Sequence, residues 1–208
     1  MTDGHDHSHA PSTTAGEPPG AARARLLEEL LVEKGVISRE DVRRGIDWLV
    51  SRTPADGARL VARAWVDPEF KARLLDDARV AALELGLDPG PSPVVVGLEN
   101  TETVHNMVVC TLCSCYPRPV LGLPPDWYKS RAYRSRAVRA PRALLAEFGT
   151  IIPEETEIRV HDSTASMRYL VLPMRPAGTE TWSEEQLAAI VTRDSMIGVA
   201  VLKPPTAS

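Results

Sequence analysis

The three cysteines of this 208-residue chain are the residues whose type and spacing most directly indicate chemistry. All three lie in the segment Cys110-Thr-Leu-Cys113-Ser-Cys115. An odd, clustered set of thiols is not a disulfide framework, which needs even pairs spread along the chain. Thiols concentrated at one point instead predict a metal site in this loop.

A zinc site is one interpretation of the spacing. The gap between Cys110 and Cys113 suits a tetrahedral ion, for which His105 or His161 would supply a fourth ligand. The single residue between Cys113 and Cys115 suits zinc less well, because structural zinc sites usually draw on two separated pairs. An iron–sulfur cluster lacks support, since the chain has no fourth cysteine.

The second interpretation is that Cys113-Ser114-Cys115 chelates an ion by itself. With both sulfurs on one ion, the backbone nitrogens of Ser114 and Cys115 lie within bonding reach, and Cys110 can approach from below their plane. Backbone amides bind only when deprotonated, which requires a strongly Lewis-acidic ion such as trivalent cobalt or iron. Five protein donors on an octahedral ion leave one open position, as a catalytic centre requires.

The elements around the loop predict an α+β fold, with an N-terminal helical arm followed by a mixed α/β layered metal-binding domain. Residues 1–20 are rich in Pro, Gly, Ser, Thr and His and are expected to form a disordered tail, in which His5, His7 and His9 are solvated. Residues 21–87 are expected to form an arm that contacts a partner subunit, and residues 88–208 the catalytic domain.

Apolar periodicity and capping residues predict the individual elements. Helices are expected from Ala21 to Gly35, after a capping box at Ser38 and Asp41, over Gly57–Trp65, from Pro68 to Leu85, over Pro141–Glu147, and from Ser183 to about Val191. Strands are expected over 94–98, 104–109, 157–161, 168–172 and 197–202. Prolines 117, 119, 124 and 125 exclude a continuous helix between the cysteine loop and about Asp126.

Composition excludes several classes of protein. With 43% hydrophobic and 25% charged residues, the chain has the mix of a soluble globular protein. A net charge of -4 without a Lys/Arg stripe argues against a nucleic-acid binder. No apolar run reaches the length of a membrane span, and the N-terminus lacks a signal-peptide pattern, so a cytoplasmic location is expected.

The cysteine loop and its flanks resemble a known family. Val108-Val-Cys110-Thr-Leu-Cys113-Ser-Cys115-Tyr-Pro, followed by Val120-Leu-Gly-Leu-Pro-Pro-Asp-Trp-Tyr-Lys129, is similar to the signature of nitrile hydratase alpha subunits. Further similar blocks are 62–71, 104–106, 175–180 and 191–199. Thr111 is typical of cobalt members, where iron members usually carry Ser. The resemblance covers nearly everything after residue 20 and implies a lyase that adds water to a carbon–nitrogen triple bond.

The resemblance also implies a site. Sulfurs of Cys110, Cys113 and Cys115 and backbone nitrogens of Ser114 and Cys115 would bind Co(III), with Fe(III) as the alternative ion. Cys113 would be oxidised to sulfinic acid and Cys115 to sulfenic acid. Ser114 and Cys115 would be catalytic, and the attacking oxygen would come from water or from the sulfenate.

Other residues and partners follow from the same resemblance. Asp162 and Arg168 match residues that the family places near the centre; otherwise they would form a surface ion pair between neighbouring strands. A beta subunit would contribute two arginines to the oxidised cysteines. A small nitrile would be the substrate, and an accessory protein would load the cobalt.

Arg118 departs from the pattern, because most nitrile hydratases carry Trp there as a wall of the substrate pocket. A guanidinium in that pocket would favour an anionic substrate. The related thiocyanate hydrolases, whose gamma subunit shares the cobalt centre, are similar at Tyr116-Pro-Arg118-Pro. Two alternatives to a nitrile hydratase therefore stay open: a thiocyanate hydrolase gamma subunit and a zinc-binding module without catalysis.

Overall fold

The computed structural model describes residues 20–90 and 92–203. Nearly all of the predicted tail, including His5, His7 and His9, lies outside the described residues. The chain divides into two compact units, one up to Ile46 and one from Asp47 onward. The arm predicted over residues 21–87 spans this division, and its contact with a partner stays a prediction.

The first two helices begin where predicted, and the first ends just before the predicted stop at Gly35. Helix α1 spans Ala21–Glu33, and α2 spans Arg39–Ser51. The hydroxyl of Ser38 accepts a hydrogen bond from the Asp41 amide at 3.0 Å, and the Asp41 carboxylate accepts one from the Ser38 amide at 2.8 Å. This reciprocal pair is the capping box that the sequence predicts.

The next helices correct one prediction. Helix α3 spans Pro54–Val66, and the helix expected from Pro68 to Leu85 is two helices, α4 (Pro68–Asp76) and α5 (Ala78–Glu84). Asp77 between them has an extended backbone, and its carboxylate accepts a hydrogen bond from the amide of Arg79 at 3.0 Å. The break occurs because a capping aspartate starts a new helix there.

Four predicted strands are confirmed, and each pairs with a strand distant in sequence. They are β1 (Val94–Glu99), β2 (Val104–Val109), β3 (Glu157–Asp162) and β4 (Met167–Leu172). Strands β1 and β4 are parallel, as are β2 and β3. The second register sets Val109 opposite Asp162, at the end of β2 where the cysteine loop starts.

Six helices follow the loop in the described part of the chain: α6 (Arg118–Leu121), α7 (Asp126–Lys129), α8 (Arg131–Arg139), α9 (Pro141–Glu147), α10 (Glu184–Ile190) and α11 (Arg193–Ile197). No continuous helix crosses the proline-rich segment, as predicted. Helix α10 begins at the predicted capping box of Ser183 and Gln186.

The strand predicted at residues 197–202 is wrong. Helix α11 occupies the run up to Ile197, because the Thr192 hydroxyl accepts a hydrogen bond from the Ser195 amide at 3.2 Å and starts a helix. Gly198 ends it with φ of +84°, and residues 199–202 adopt neither helix nor strand. Ile197, Val199 and Val201 alternate as in a strand, but the helix cap at Thr192 and the left-handed Gly198 override that pattern.

The core of the second unit is built from helices packed on both strand pairs. Helix α3 packs against α10, α4 and α5 pack against β1, and α11 packs against β4. Leu60, Val95, Met107 and Leu170 are fully buried there. Among the helices described, none combines the length and the apolar character that a membrane crossing demands.

Candidate metal centre

The three cysteines converge at the end of β2. The Cys110 side chain is buried, that of Cys115 is half-buried, and that of Cys113 is exposed. The Cys113 amide donates to the Cys110 sulfur at 3.3 Å, which turns the chain back on itself. The sulfurs of Cys110 and Cys113 are 3.5 Å apart and those of Cys113 and Cys115 are 3.2 Å apart. All three lie within 4.8 Å of one another.

These separations discriminate between ion geometries. With a metal–sulfur bond of about 2.3 Å, two sulfurs at right angles on one ion lie about 3.3 Å apart, and two at tetrahedral positions about 3.8 Å apart. The 3.2 Å pair matches the right angle, and the 3.5 Å pair lies between the two values. The Cys113–Cys115 pair therefore favours right-angled positions on one ion, and the Cys110–Cys113 separation is compatible with either geometry.

The histidines proposed as fourth zinc ligands lie elsewhere. Nε2 of His105 contacts the Gly198 carbonyl at 2.8 Å, and Nε2 of His161 contacts the Asn106 side-chain oxygen at 2.8 Å. Across residues 20–90 and 92–203, the cluster with metal-ligand spacing contains the three cysteines and no histidine. The structure thus does not supply the tetrahedral zinc site that His105 or His161 would complete.

The thiols of the loop differ in acidity. Hydrogen bonds from the Cys115 thiol, the Cys110 thiol and the Ser114 amide lower the pKa of Cys113 to about 7. Burial, and to a smaller extent the neighbouring Cys113, raise the pKa of Cys115 to about 12, although the positive charge of Arg168 opposes the rise. Without a cation, negative charge therefore forms first on Cys113, and a bound metal ion would be needed to deprotonate Cys115.

Asp162 holds the first turn of the loop. Its Oδ1 accepts a hydrogen bond from the Thr111 amide at 2.9 Å, and its Oδ2 accepts one from the Thr111 hydroxyl at 2.5 Å. No salt bridge joins Asp162 to Arg168 among the described residues, and their strands, β3 and β4, are not paired with each other. The surface ion pair considered as the alternative is thus not formed.

A cleft of about 380 Å³ opens beside Cys113, Ser114 and Cys115. Arg118, which is exposed, and Arg168, which is half-buried, both line it. The remaining wall consists of Trp48, Leu49, Ser92, Pro93, Tyr116 and Pro119. The structure therefore brings together the loop, Arg118 and Arg168, and gives the cleft a positive edge.

Aromatic side chains support the loop from the protein interior. The rings of Trp127 and Tyr133, and of Tyr116 and Tyr128, meet edge to face with centroids 4.9 and 5.1 Å apart. The Tyr128 hydroxyl donates to the Cys115 carbonyl at 2.8 Å, and the Tyr133 hydroxyl donates to the Val108 carbonyl at 2.6 Å. Neither tyrosine is predicted from the sequence as part of the site, where the only signal for them is the density of aromatic residues after the loop.

Comparison with known proteins places these features in a family. The family model described as nitrile hydratase, alpha chain, matches residues 19–200. The low-molecular weight cobalt-containing nitrile hydratase subunit alpha of Rhodococcus rhodochrous is 58% identical over 89% of this chain and 90% of its own. The thiocyanate hydrolase subunit gamma of Thiobacillus thioparus is 48% identical over 86% of this chain and 78% of its own.

A solved structure agrees with the sequence relatives. A double mutant of the Fe-type nitrile hydratase from Comamonas testosteroni Ni1 superposes with a TM-score of 0.79, at 45% identity over 90% of this chain and 92% of that one. The matched region includes the cysteine loop, both strand pairs and the helices that surround them. With its three-cysteine loop and this coverage, the chain belongs to the nitrile hydratase alpha chain family.

Proposed function

We propose that this chain is the metal-bearing alpha subunit of a nitrile hydratase that converts nitriles to amides at a non-corrin Co(III) centre. The observation that carries the proposal is the convergence of three cysteine sulfurs within 4.8 Å of one another, with the Cys113 and Cys115 sulfurs 3.2 Å apart, as two right-angled positions on one ion require. The cobalt-containing relative from Rhodococcus rhodochrous supports cobalt, whereas the Fe-type structure keeps iron as the alternative ion.

The ligands proposed for the ion are the sulfurs of Cys110, Cys113 and Cys115 and the backbone nitrogens of Ser114 and Cys115. When bound, a trivalent ion supplies Lewis acidity that polarises a nitrile or acidifies a water. We propose that an external oxidant such as dioxygen converts Cys113 to sulfinic acid and Cys115 to sulfenic acid and supplies their added oxygens. The exposure of Cys113 and its lowered pKa support the oxidation of Cys113, since thiolate character and access govern oxidation. For Cys115, the proposal rests on the family resemblance.

Ser114 and Cys115 are the proposed catalytic residues because both line the cleft. Cys115 presents its oxidised sulfur as the nucleophile or as the group that orients a water. The positive charge of Arg168 acts to lower the pKa of Cys115. Arg168 is therefore proposed to stabilise the negative oxygens on the oxidised Cys115. Asp162 holds the loop through Thr111 and does not line the cleft.

The proposed partner is a beta subunit, because oxidised cysteines carry charge that needs more donors than this loop provides. The unit up to Ile46 exposes large apolar side chains, and exposed apolar surface of this kind typically marks an interaction site. The exposed residues are Leu26, Leu27, Leu30, Val36 and Ile46. An accessory protein for cobalt loading and a cytoplasmic location stay predictions.

A thiocyanate hydrolase gamma subunit is the second candidate. Arg118 and Arg168 both line the cleft, and two guanidinium groups favour an anion such as thiocyanate over a neutral nitrile. The relative from Thiobacillus thioparus supports this candidate. Under it, the same loop would act in hydrolysis of thiocyanate.

The test is co-expression with a nitrile hydratase beta subunit, followed by metal analysis, intact mass and parallel assays with an aliphatic nitrile and thiocyanate. One cobalt per chain, added oxygens on the Cys113–Cys115 peptide and amide formation are expected. Consumption of thiocyanate alone would replace the first candidate by the second. One zinc with unmodified thiols would remove both.

A further inference from the structure

We propose that Tyr128 is a positioning residue that holds Cys115 in the conformation needed to chelate the ion. Its hydroxyl donates to the Cys115 carbonyl at 2.8 Å. The inference rests on the proposed function of the loop as a metal centre. It adds a residue outside the loop that acts on the centre through one ligand residue.

The Tyr128 hydroxyl is held rigidly. The side chain is fully buried, and the rings of Tyr116 and Tyr133 lie 5.1 and 5.5 Å from its own, centroid to centroid. A buried donor of fixed direction constrains the carbonyl that accepts from it.

The constraint acts on the residue that carries two of the proposed donors. Cys115 would bind the ion through its backbone nitrogen and its sulfur, which closes one chelate ring. The carbonyl group is the remaining polar group of the residue, and a hydrogen bond to it can fix how the residue is oriented. The Tyr128 bond anchors that carbonyl group on the interior side. Cys115 is thereby oriented before an ion binds.

Tyr133 provides a matched comparison within the same aromatic cluster. It is 4% exposed, and its hydroxyl donates to the Val108 carbonyl at 2.6 Å, on β2 before the loop. Both tyrosines therefore donate a hydrogen bond from a buried side chain to a backbone carbonyl. The difference is that Cys115 is a proposed ligand residue and Val108 is not.

The experiment compares Tyr128→Phe and Tyr133→Phe in the cobalt-loaded complex with the beta subunit. Both variants keep the ring and lose one hydrogen bond, so similar falls in Tm are expected. Tyr128→Phe alone should lose cobalt to excess chelator about tenfold faster, the factor that corresponds to one hydrogen bond. It should also shift the sulfur-to-cobalt absorption band, whereas Tyr133→Phe should leave that band unchanged.

Equal rates of cobalt loss and identical absorption bands in the two variants would overturn the inference. If Tyr128→Phe does not fold, site-specific 3-fluorotyrosine at position 128 keeps the shape and makes a more acidic donor. That protein should lose cobalt more slowly than the wild type, and an unchanged rate would also overturn the inference. Failure of the wild-type complex to bind cobalt at all would instead contradict the proposed function.

Discussion

At the scale of single residues, the contact between Thr111 and Asp162 decides how firmly the start of the cysteine loop is held. Asp162 accepts two hydrogen bonds from Thr111, one from the backbone and one from the hydroxyl. Thr111→Val removes the hydroxyl bond and keeps the side-chain volume, whereas Thr111→Ser keeps the bond. The residue type at position 111 thus acts on the loop through Asp162, 51 residues further along the chain.

We expect Thr111→Val to lower the free energy of unfolding by about 1 kcal/mol, because one hydrogen bond to a carboxylate at an exposed site is lost. Cobalt content after purification should fall with it. Thr111→Ser is the control and should match the wild type in both measurements, which are urea unfolding and metal analysis. Equal loss of cobalt in both variants would contradict a role for the Asp162 contact.

Arg118 is expected to determine the charge of the preferred substrate. It is exposed at the edge of the cleft that contains Ser114 and Cys115. Arg118→Met removes the charge with similar length, so kcat/KM for thiocyanate should fall about tenfold, and kcat/KM for a neutral nitrile should change less than about twofold. Arg159→Met, which removes an arginine paired with Glu157 outside this cleft, is the control. A parallel fall for both substrates would show that Arg118 does not discriminate by charge.

At the scale of elements, the end of α11 is fixed by a close approach to β2. Gly198 has φ of +84°, and a Cβ there would lie 2.0 Å from the carbonyl oxygen of Asn106. Gly149, which follows α9, has a similar φ of +78° but open space around it. Any residue with a Cβ would therefore be strained at both positions, but only at position 198 would it also clash with a neighbour.

Gly198→Ala should destabilise the fold by well over about 2 kcal/mol, because left-handed strain and a clash with backbone add together. Gly149→Ala should cost only the strain, about 1–2 kcal/mol. Chemical denaturation of the two variants measures both costs. Because Asn106 belongs to β2, loss of cobalt is expected from Gly198→Ala and not from Gly149→Ala. Similar stabilities for the two variants would mean that α11 moves away from β2 without cost.

At the scale of the whole molecule, a buried network around His105 joins segments from both halves of the second unit. Its Nε2 donates to the Gly198 carbonyl at 2.8 Å, and its Nδ1 accepts from the Asn100 amide group at 3.3 Å. The Asn100 side-chain oxygen accepts a hydrogen bond from the backbone amide of Asn106 at 2.8 Å, and this bond fixes the orientation of the Asn100 side chain. The network suits the neutral ring, because protonated Nδ1 would face a donor.

Stability is therefore expected to depend on pH through His105. Burial lowers the pKa of His105 below 6.5, so the unfolded state binds more protons in the window between the two pKa values. The stability that neutral His105 contributes is fully present above about pH 6.5 and is lost as the pH falls through the folded-state pKa. Urea unfolding at about pH 7.5, 6.5 and 5.5 measures it.

His105→Gln is the matched variant, since its amide can donate to Gly198 and accept from Asn100 without titrating. As the pH falls from 7.5 to 5.5, the wild type should lose more unfolding free energy than the variant does. Carboxylates elsewhere titrate in both proteins and cancel in the difference between them. A difference that is constant with pH would contradict the network.

The sequence by itself determined the features whose causes are local. Cys110, Cys113 and Cys115 are separated by so few residues that the chain must bring their sulfurs close, and the sequence therefore predicts a metal site. The capping boxes at Ser38 and Ser183 likewise depend on residues three apart, so both helix starts are confirmed. Arg118 stands three residues after Cys115, and its place at the cleft edge follows from that proximity.

Only the tertiary structure decided which distant residues meet that loop. Parallel pairing of β2 with β3 brings Asp162 to Thr111, and folding of α7 and α8 against the core brings Tyr128 and Tyr133 beneath it. Apolar alternation identifies a strand but not its partner, because many pairings bury the same side chains. The break at Asp77 and the helix up to Ile197 were missed for the opposite reason: a single capping residue outweighed a longer apolar pattern.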